Sequence, residues 1–217
     1  MSKIIFAAEQ RGGLDMFLPV IKKIKSKKFA TFLFSNNKNI CQFARYQKIK
    51  CTLLAESSFS NIEKIIKKVN PNIVFTDTND TDFTFSIAKK FVAASKKLHK
   101  KTVVILDSWN RYRERLGATL PDHILAINKK MKDDLKVLGI PGDIVIVTGS
   151  PRFDRLAGRK KIKEQKNLVV FYSQPLSKIN LPEIQIFKDI VRAFERVYPK
   201  KEIIVKFHPT RESDEKS

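Results

Sequence analysis

The sequence predicts an α/β protein: a doubly wound, Rossmann-like parallel sheet followed by the opening units of a second α/β domain. Short runs rich in β-branched and aromatic residues alternate with longer segments of helical period, which is typical of repeated βα units. The 217 residues exceed one average domain and fall short of two complete ones. We therefore expect a first domain over residues 1–151, a linker over 152–166 and an incomplete second domain over 167–217.

The strands are predicted from short apolar runs bounded by turn residues. They are Ile4–Ala8, Ala30–Ser35, Thr52–Ala55, Asn72–Thr76, Thr102–Asp107, Ile124–Asn128, Asp143–Thr148, Leu168–Tyr172 and Glu202–Phe207. The helices are predicted from longer segments with apolar residues on one face. They are Leu14–Lys25, Asn39–Gln47, Ser60–Val69, Asp82–His99, Lys130–Leu138 and Pro182–Val197. Strict alternation of the two predicts parallel strands joined by right-handed crossovers.

The third predicted helix has a clear apolar face and a clear end. Within Ser60–Val69, Ile62 and Ile66 share an apolar face, while lysines and a glutamate occupy the other side. Pro71 ends the helix, because proline disfavours helical backbone in the residue before it. The run Asn72–Thr76 then returns the chain to the sheet as a strand buried on both faces.

The composition is that of a folded protein without a membrane span. Hydrophobic residues make up 42% of the chain and charged residues 30%, which is enough for a packed core. No apolar run reaches the ~18 residues that a bilayer span requires, so we expect a cytoplasmic protein. Cys41 and Cys51 lack zinc-type spacing, and we expect both to be buried thiols rather than a disulfide.

The net charge of +21 comes mainly from lysines, which fall in pairs on or just after the predicted helices. This arrangement favours solvated helix faces. Attraction to an anionic membrane surface or to a polyanionic acceptor is the alternative. Nucleic acid is not an expected partner, because no reader motif accompanies the lysines.

Two predicted strand ends contain glycines: at the first a ligand could approach the backbone closely, and at the second Gly149 and Pro151 have the structural role of setting the chain direction into the linker. Gly12 and Gly13 follow the first strand and open the first helix, where unpaired N–H groups can bind an anion. A plain strand-to-helix turn is the alternative. The segment Gly149-Ser-Pro-Arg-Phe-Asp154 leaves the last strand of the first domain, and Arg152 is its candidate substrate-binding residue.

A charged segment follows the fifth strand, at the edge where open α/β sheets bind ligands. Asp107 stands at the strand tip, followed by Trp109, Arg111 and Arg113. Clustered guanidinium groups suit phosphate recognition, and the carboxylate is a candidate base. The alternative is a charged surface loop with Trp109 packed inward.

The last predicted strand ends in Lys206-Phe-His-Pro-Thr-Arg211. His208 lies at the carboxyl end of the strand, and Pro209 halts the strand and fixes the turn. Together with Arg211, this histidine would suit a diphosphate or phosphodiester. A hydrogen-bonded structural histidine is the alternative.

The order of these motifs along the chain resembles the GT-B glycosyltransferase superfamily. Within it, the chain is most similar to bacterial surface-polysaccharide transferases of the sialyl, polysialyl and glycerophospho kinds and to the UDP-N-acetylglucosamine 2-epimerases. The resemblance rests on the paired glycines after strand one, Asp-x-Trp after strand five, Thr-Gly-Ser-Pro-Arg-Phe-Asp at the domain exit, Tyr-Ser-Gln-Pro including Gln174, and Lys-Phe-His-Pro.

This resemblance implies two facing Rossmann-like domains, with the acceptor mostly on the first and the nucleotide donor mostly on the second. His208 and Pro209 would contact donor phosphate, and Gln174 and Arg211 would line the same substrate site. No metal and no cofactor apart from the nucleotide-sugar donor is implied. Complete donor domains continue with further βα units beyond the His-Pro strand, so we expect a shortened second domain.

We therefore expect a GT-B-like glycosyltransferase, in shortened form, that acts with a nucleotide-activated sugar in cell-surface polysaccharide or lipopolysaccharide synthesis. Its partners would be the nucleotide sugar and a glycan or lipid-linked acceptor. Two alternatives stay open. One is a non-catalytic assembly or binding subunit completed by a partner chain or by self-association, because an unpaired strand invites pairing. The other is a nucleotide-sugar epimerase, which shares the fold but catalyses another reaction.

Overall fold

The fold is given by a computed structural model that describes residues 1–25, 27, 29–79, 82–109, 111–156, 167–173 and 182–206. The chain divides into two compact units, Met1–Arg159 and Lys160–Ser217. Residues Pro151–Leu156 form a 3₁₀ helix that packs on the first α-helix. The linker over 152–166 stays a prediction.

Seven parallel strands form the sheet of the first unit, in the order β3-β2-β1-β4-β5-β6-β7. They are β1 (Lys3–Ala7), β2 (Ala30–Ser35), β3 (Cys51–Leu53), β4 (Ile73–Thr76), β5 (Lys101–Ile105), β6 (His123–Ala126) and β7 (Val145–Val147). The predicted doubly wound parallel sheet is confirmed.

Helices connect consecutive strands of this sheet. They are α1 (Arg11–Lys25), α2 (Lys38–Tyr46), α3 (Phe59–Val69), α4 (Ile87–Lys97), α5 (Tyr112–Leu116) and α6 (Lys129–Val137). Ser58, Ser86 and Asn128 accept backbone N–H groups at the starts of α3, α4 and α6, which fixes where these helices begin. Helix α4 therefore starts later than predicted, and α5 was not predicted.

The core lies on both faces of the sheet, as the alternation along β1 shows. Ile4 and Phe6 join a cluster with α1 and α2, whereas Ile5 and Ala7 join a second cluster with α3 and α4. Successive strand residues point to opposite faces, so β1 is buried on both sides. A third cluster packs β5, β6 and β7 against α4, α5 and α6.

The strand order places a topological switch point between β1 and β4. From β1 the chain proceeds outward to β2 and β3, then returns to β4 on the other side. The connections on the two sides of the switch point lie on opposite faces of the sheet, which leaves a crevice at the carboxyl ends of β1 and β4. Ligands of open α/β sheets bind in a crevice of this kind, so we expect a binding site here.

The second unit contributes a βαβ segment in the described residues. Strands β8 (Leu168–Tyr172) and β9 (Glu202–Lys206) pair in parallel, with α7 (Glu183–Val197) between them in sequence. Phe171 of β8 contacts Phe187 of α7 with ring centroids 5.7 Å apart, so the helix packs on this small sheet. The predicted start of a second α/β domain is confirmed.

Cys41 and Cys51 form a disulfide, so the prediction of two free thiols is wrong. Both cysteines are buried, as predicted. The chain reverses after α2 through Lys48, whose φ is 60°, and β3 returns alongside the helix, which brings the two Cα atoms to 5.1 Å. Sequence spacing alone does not reveal this return. No helix in the described part of the chain is long and apolar enough to cross a membrane.

Candidate functional site

Helix α1 starts against two carboxylates that follow β4 and β5, and its two glycines permit the approach. A Cβ atom on Gly13 would lie 2.0 Å from Oδ2 of Asp77, and one on Gly12 would lie 2.6 Å from Oδ2 of Asp107. Real Cβ atoms do not come so close to other atoms. Both positions therefore require glycine for packing, whereas their contact with a substrate stays a prediction.

Asp77 is the most deeply buried carboxyl group of the crevice. Its Oδ2 accepts hydrogen bonds from the backbone N–H groups of Glu9 at 3.0 Å and Gln10 at 3.3 Å, at the start of the α1 connection. Its Oδ1 has no hydrogen-bond partner among the described residues. Burial raises the pKa of Asp77 well above its ordinary range, and the negative charges of Glu9 and Asp107 raise it further.

Glu9 joins β1 to the start of α4. Its Oε1 accepts a hydrogen bond from the Ser86 hydroxyl at 2.9 Å and from the Ala88 backbone N–H at 2.7 Å. Burial raises the pKa of Glu9, although these hydrogen bonds and the charge of Lys89 oppose the shift. Glu9 and Asp77 are thus neighbouring carboxyl groups whose pKa values are both raised by burial.

Asp107 is held in an ion pair with Arg115. The distance from Arg115 Nη1 to Asp107 Oδ1 is 3.0 Å, and the side chains are only 12% and 14% exposed. The same nitrogen reaches the carbonyl and hydroxyl oxygens of Thr78, at 3.4 and 3.3 Å. Arg115 thereby connects the segments that follow β4 and β5, and it brings a positive charge to the acidic crevice.

The sequence singled out Arg111 and Arg113 but not Arg115, and helix α5 explains the difference. Residues four apart share a helix face, so Arg111 and Arg115 lie on one side and Arg113 on another. Arg113 is exposed and donates to the Leu138 carbonyl at 2.9 Å, beyond the end of α6. Glu9, Asp77 and Arg115 were all missed. The sequence offered no periodic signal for Arg115, because α5 has only five residues.

The remaining predicted residues lie elsewhere. Arg152 is in the 3₁₀ helix, with its guanidinium 4.7 Å from the Phe153 ring centroid, and lines a groove against α1 rather than the crevice. Trp109 follows β5 and is half exposed, so the alternative with Trp109 packed inward is wrong. Four predicted site residues lie outside the described residues: Gln174, His208, Pro209 and Arg211.

Two cavities of the first unit flank the acidic crevice. One, of about 540 Å³, is mainly apolar and lies between α3, α4 and α5, with Phe59, Phe83, Lys89 and Arg111 in its wall. The other, of about 530 Å³, lies over the ends of β1, β2 and β4, and Glu9 forms part of its wall. Among the described residues, no group of three or more His, Cys, Asp or Glu side chains has the arrangement of a metal site.

Solved structures show the same fold. The chain aligns with the S. aureus MnaA–UDP structure at a TM-score of 0.70 and 16% identity, over 99% of this chain and 64% of that chain. It aligns with a UDP-N-acetylglucosamine 2-epimerase from Rickettsia bellii at a TM-score of 0.63 and 15% identity, over 98% and 64%. A glycosyltransferase from Rickettsia africae aligns at a TM-score of 0.64 and 13% identity, over 94% and 68%.

These similarities define the fold class: the chain is an α/β protein with GT-B-like architecture, as the sequence predicted. A UDP-N-acetylglucosamine 2-epimerase and a glycosyltransferase are among the structures that share this architecture. At these identities they show the fold alone. The chain spans about 64% of the length of the MnaA structure and of the Rickettsia bellii epimerase. No protein-family model matches the chain, and no curated protein matches it.

Proposed function

We propose that this chain is a cytoplasmic GT-B-like glycosyltransferase that uses a nucleotide-activated sugar in cell-surface polysaccharide or lipopolysaccharide synthesis. One observation carries the proposal: Asp77 and Asp107 lie against Gly13 and Gly12 at the start of α1, near the topological switch point, and the charge of Glu9 acts on Asp77. Titratable groups with perturbed pKa values in a crevice mark functional sites. The fold shared with nucleotide-sugar enzymes supports the choice of substrate.

The proposed reaction is attack of an acceptor hydroxyl on the anomeric carbon of the donor sugar. The C–O bond to the nucleotide breaks, the nucleotide leaves with its electron pair, and a carboxylate accepts the hydroxyl proton. Asp107 is our candidate for this base, held in place by Arg115 at 3.0 Å. Asp77 is the second candidate, because its Oδ1 has no hydrogen-bond partner among the described residues.

Positive charge on the departing phosphate would come from Arg111 and His208 in this proposal, whereas Arg113 donates to the Leu138 carbonyl on another side of α5. Gly12 and Gly13 would let substrate approach the backbone at the start of α1, and no cofactor is required. The lysine-rich surface supports peripheral attraction to an anionic membrane, where a lipid-linked acceptor would be found.

A second candidate function is nucleotide-sugar epimerisation. It is supported by the TM-score of 0.63 to a UDP-N-acetylglucosamine 2-epimerase. It is also favoured by Asp77, because moving a proton to or from a sugar carbon needs an acid–base group, and burial raises the pKa of this carboxyl.

The test is to incubate the full chain with UDP- and CMP-sugars, with and without glycan acceptors, and to identify the products by NMR and mass spectrometry. A transferase gives free nucleotide and an elongated glycan only when acceptor is present, whereas an epimerase alters the sugar without acceptor. If neither product forms, the result favours the non-catalytic assembly subunit. We expect Asp107→Asn or Asp77→Asn to lower turnover by about 10²-fold or more. Asp133→Asn, an exposed carboxylate paired with Lys129, is the control.

A further inference from the structure

The cavity over the ends of β1, β2 and β4 has an unusual wall, and we call it the amide cavity. Its volume is about 530 Å³, and four of its lining side chains are carboxamides that follow three different strands: Gln10, Asn36, Asn37 and Asn79. An aromatic ring, that of Phe85, completes the wall. The ends of neighbouring strands therefore bring several carboxamide groups to one cavity.

Carboxamides suit an uncharged ligand rich in hydroxyl groups. Each amide offers both an acceptor oxygen and donor N–H groups, and a sugar hydroxyl also donates and accepts. Phosphate is usually recognised by arginine instead, and no arginine lines the described wall of this cavity. Its ionisable members are Lys38 and Glu9, and burial favours the neutral form of Glu9.

The polar wall is held in place by local hydrogen bonds. Asn37 caps α2, with its Oδ1 accepting the Asn39 N–H at 2.9 Å, and its own N–H donates to the Ser35 hydroxyl at 3.1 Å. The backbone N–H of Gln10 donates to Asp77. Polar groups positioned in advance lower the entropy that a ligand must overcome to bind.

Phe85 is the feature that points most directly to a sugar. Its side chain is 70% exposed, so it contributes little to the core. The turn before α4 fixes its position, because the N–H groups of Phe85 and Ser86 both donate to the Asp82 carbonyl at 3.0 Å. An exposed ring beside hydrogen-bonding amides can pack on the apolar face of a sugar ring while the amides bind its hydroxyls.

We propose that the amide cavity binds an uncharged sugar residue of the acceptor glycan. The inference rests on the proposed function, since it assigns a substrate class to the same site. Glu9 lines the cavity and its backbone N–H donates to Asp77, so a sugar held there lies beside the acidic cluster. The acceptor thus enters over the ends of β1, β2 and β4.

Binding to the full chain is measured without any nucleotide sugar, by saturation-transfer NMR and by titration with lactose, maltose and diacetylchitobiose. Sialyllactose is the charged counterpart of lactose. We expect the neutral sugars to bind and Phe85→Ala to weaken them roughly threefold to tenfold, as the loss of one aromatic contact predicts. Gln10→Ala should weaken them about threefold.

Matched controls come from α2. Tyr46→Ala removes an aromatic ring that is 80% exposed, and Gln42→Ala removes an exposed carboxamide; neither residue lines the cavity. Both controls should bind the neutral sugars as the unchanged chain does. Circular dichroism verifies that each variant is folded, and Gln10→Ala keeps the test decisive if Phe85→Ala does not fold.

The proposal is overturned if no neutral disaccharide binds, if Phe85→Ala and Gln10→Ala bind as tightly as their controls, or if sialyllactose binds in preference to lactose through Phe85. Because no donor is present, this result is independent of turnover. Neutral-sugar binding that depends on Phe85 but leads to no transfer would refute the proposed reaction and leave the sugar site standing. Transfer without such binding would support the proposed reaction and refute the sugar site.

Discussion

The substitution Gly13→Ala tests how α1 packs on the Asp77 side chain. In an exposed helix, replacing glycine by alanine stabilises by up to about 1 kcal/mol. Gly13 is buried in the first turn of α1, and its added Cβ would lie 2.0 Å from Oδ2 and 2.3 Å from Cβ of Asp77. The expected sign is therefore the opposite of the usual one.

The magnitude follows from which atoms must move. The Cβ of Asp77 is fixed to the backbone after β4, so no side-chain rotation relieves the contact, and either α1 or the β4 end must shift. Overpacking of this kind costs about 3 kcal/mol, from which the gain in helix propensity subtracts about 1 kcal/mol. A net loss of about 2 kcal/mol lowers the melting temperature by roughly 4–8 °C in a chain of this size.

Urea and thermal denaturation of three alanine variants test this reasoning. Gly12→Ala should cost less than Gly13→Ala, because its Cβ meets only the Asp107 carboxylate within 3 Å. Gly142→Ala is the control, since its Cβ meets the flexible Lys136 side chain, and it should be nearly neutral. In an Asp77→Gly background, Gly13→Ala should lose most of its cost. Equal or greater stability of Gly13→Ala relative to Gly142→Ala would refute the packing.

Three further predictions concern charge and backbone. Because the folded pKa of Asp77 lies above its ordinary 3.8, the folded state holds the proton more tightly, and this contribution to stability is lost as pH rises from about 4 through the folded pKa. Asp77→Asn should flatten that decline in urea titrations between pH 4 and 8. Arg115→Ala should cost about 1–3 kcal/mol by leaving Asp107 unpaired in a mostly buried site, whereas exposed Arg113→Ala should cost about 0.5 kcal/mol. Gly149→Val should cost about 1–2 kcal/mol.

The controls for these predictions follow from the same contacts. Identical pH slopes for Asp77→Asn and the unchanged chain would show that Asp77 does not titrate abnormally. Equal losses for Arg115→Ala and Arg113→Ala would contradict the importance of the Asp107 ion pair. Gly149 has a φ of 81° and no atom within 4 Å of an added Cβ, so the cost of a side chain there lies in the backbone conformation and not in crowding. Gly149→Asn should therefore be milder than Gly149→Val.

Much of the fold could be predicted because its signals are local. The strands Ala30–Ser35 and Leu168–Tyr172 have the bounds that the sequence predicted, since apolar runs between turn residues define them directly. Helix α5 was missed because its five residues are too short for a periodic pattern to appear. The disulfide was missed because it depends on how the chain returns after α2, which is tertiary information.

The site was harder to predict than the fold. Asp107 was found because it stands at a strand end beside conspicuous arginines. Glu9 and Asp77 also stand at strand ends, but nothing in the local sequence shows that their strands are adjacent at the switch point. That adjacency follows from the strand order β2-β1-β4. If the strand order had been known, the carboxylates after β1 and β4 would have been the first candidates for site residues.

A comparison of Asp77 with Asp122 argues that the crevice is more than a structural feature. Asp122 stands before β6 at the opposite edge of the sheet and accepts hydrogen bonds from Lys96, the Thr102 hydroxyl and the Thr102 N–H. Burial raises its pKa, but these hydrogen bonds outweigh burial and lower it, so this carboxylate stabilises the fold.

Asp77 has the opposite balance. Burial dominates its pKa, a neighbouring acid adds to the shift, and one oxygen lacks a partner in the described structure. A buried carboxyl oxygen without a partner costs about 1–3 kcal/mol. Asp122 is hydrogen-bonded by Lys96 and Thr102 at one edge of the sheet, whereas Oδ1 of Asp77 has no partner among the described residues at the switch point. We expect this difference if, as proposed, Asp77 takes part in proton transfer at the crevice.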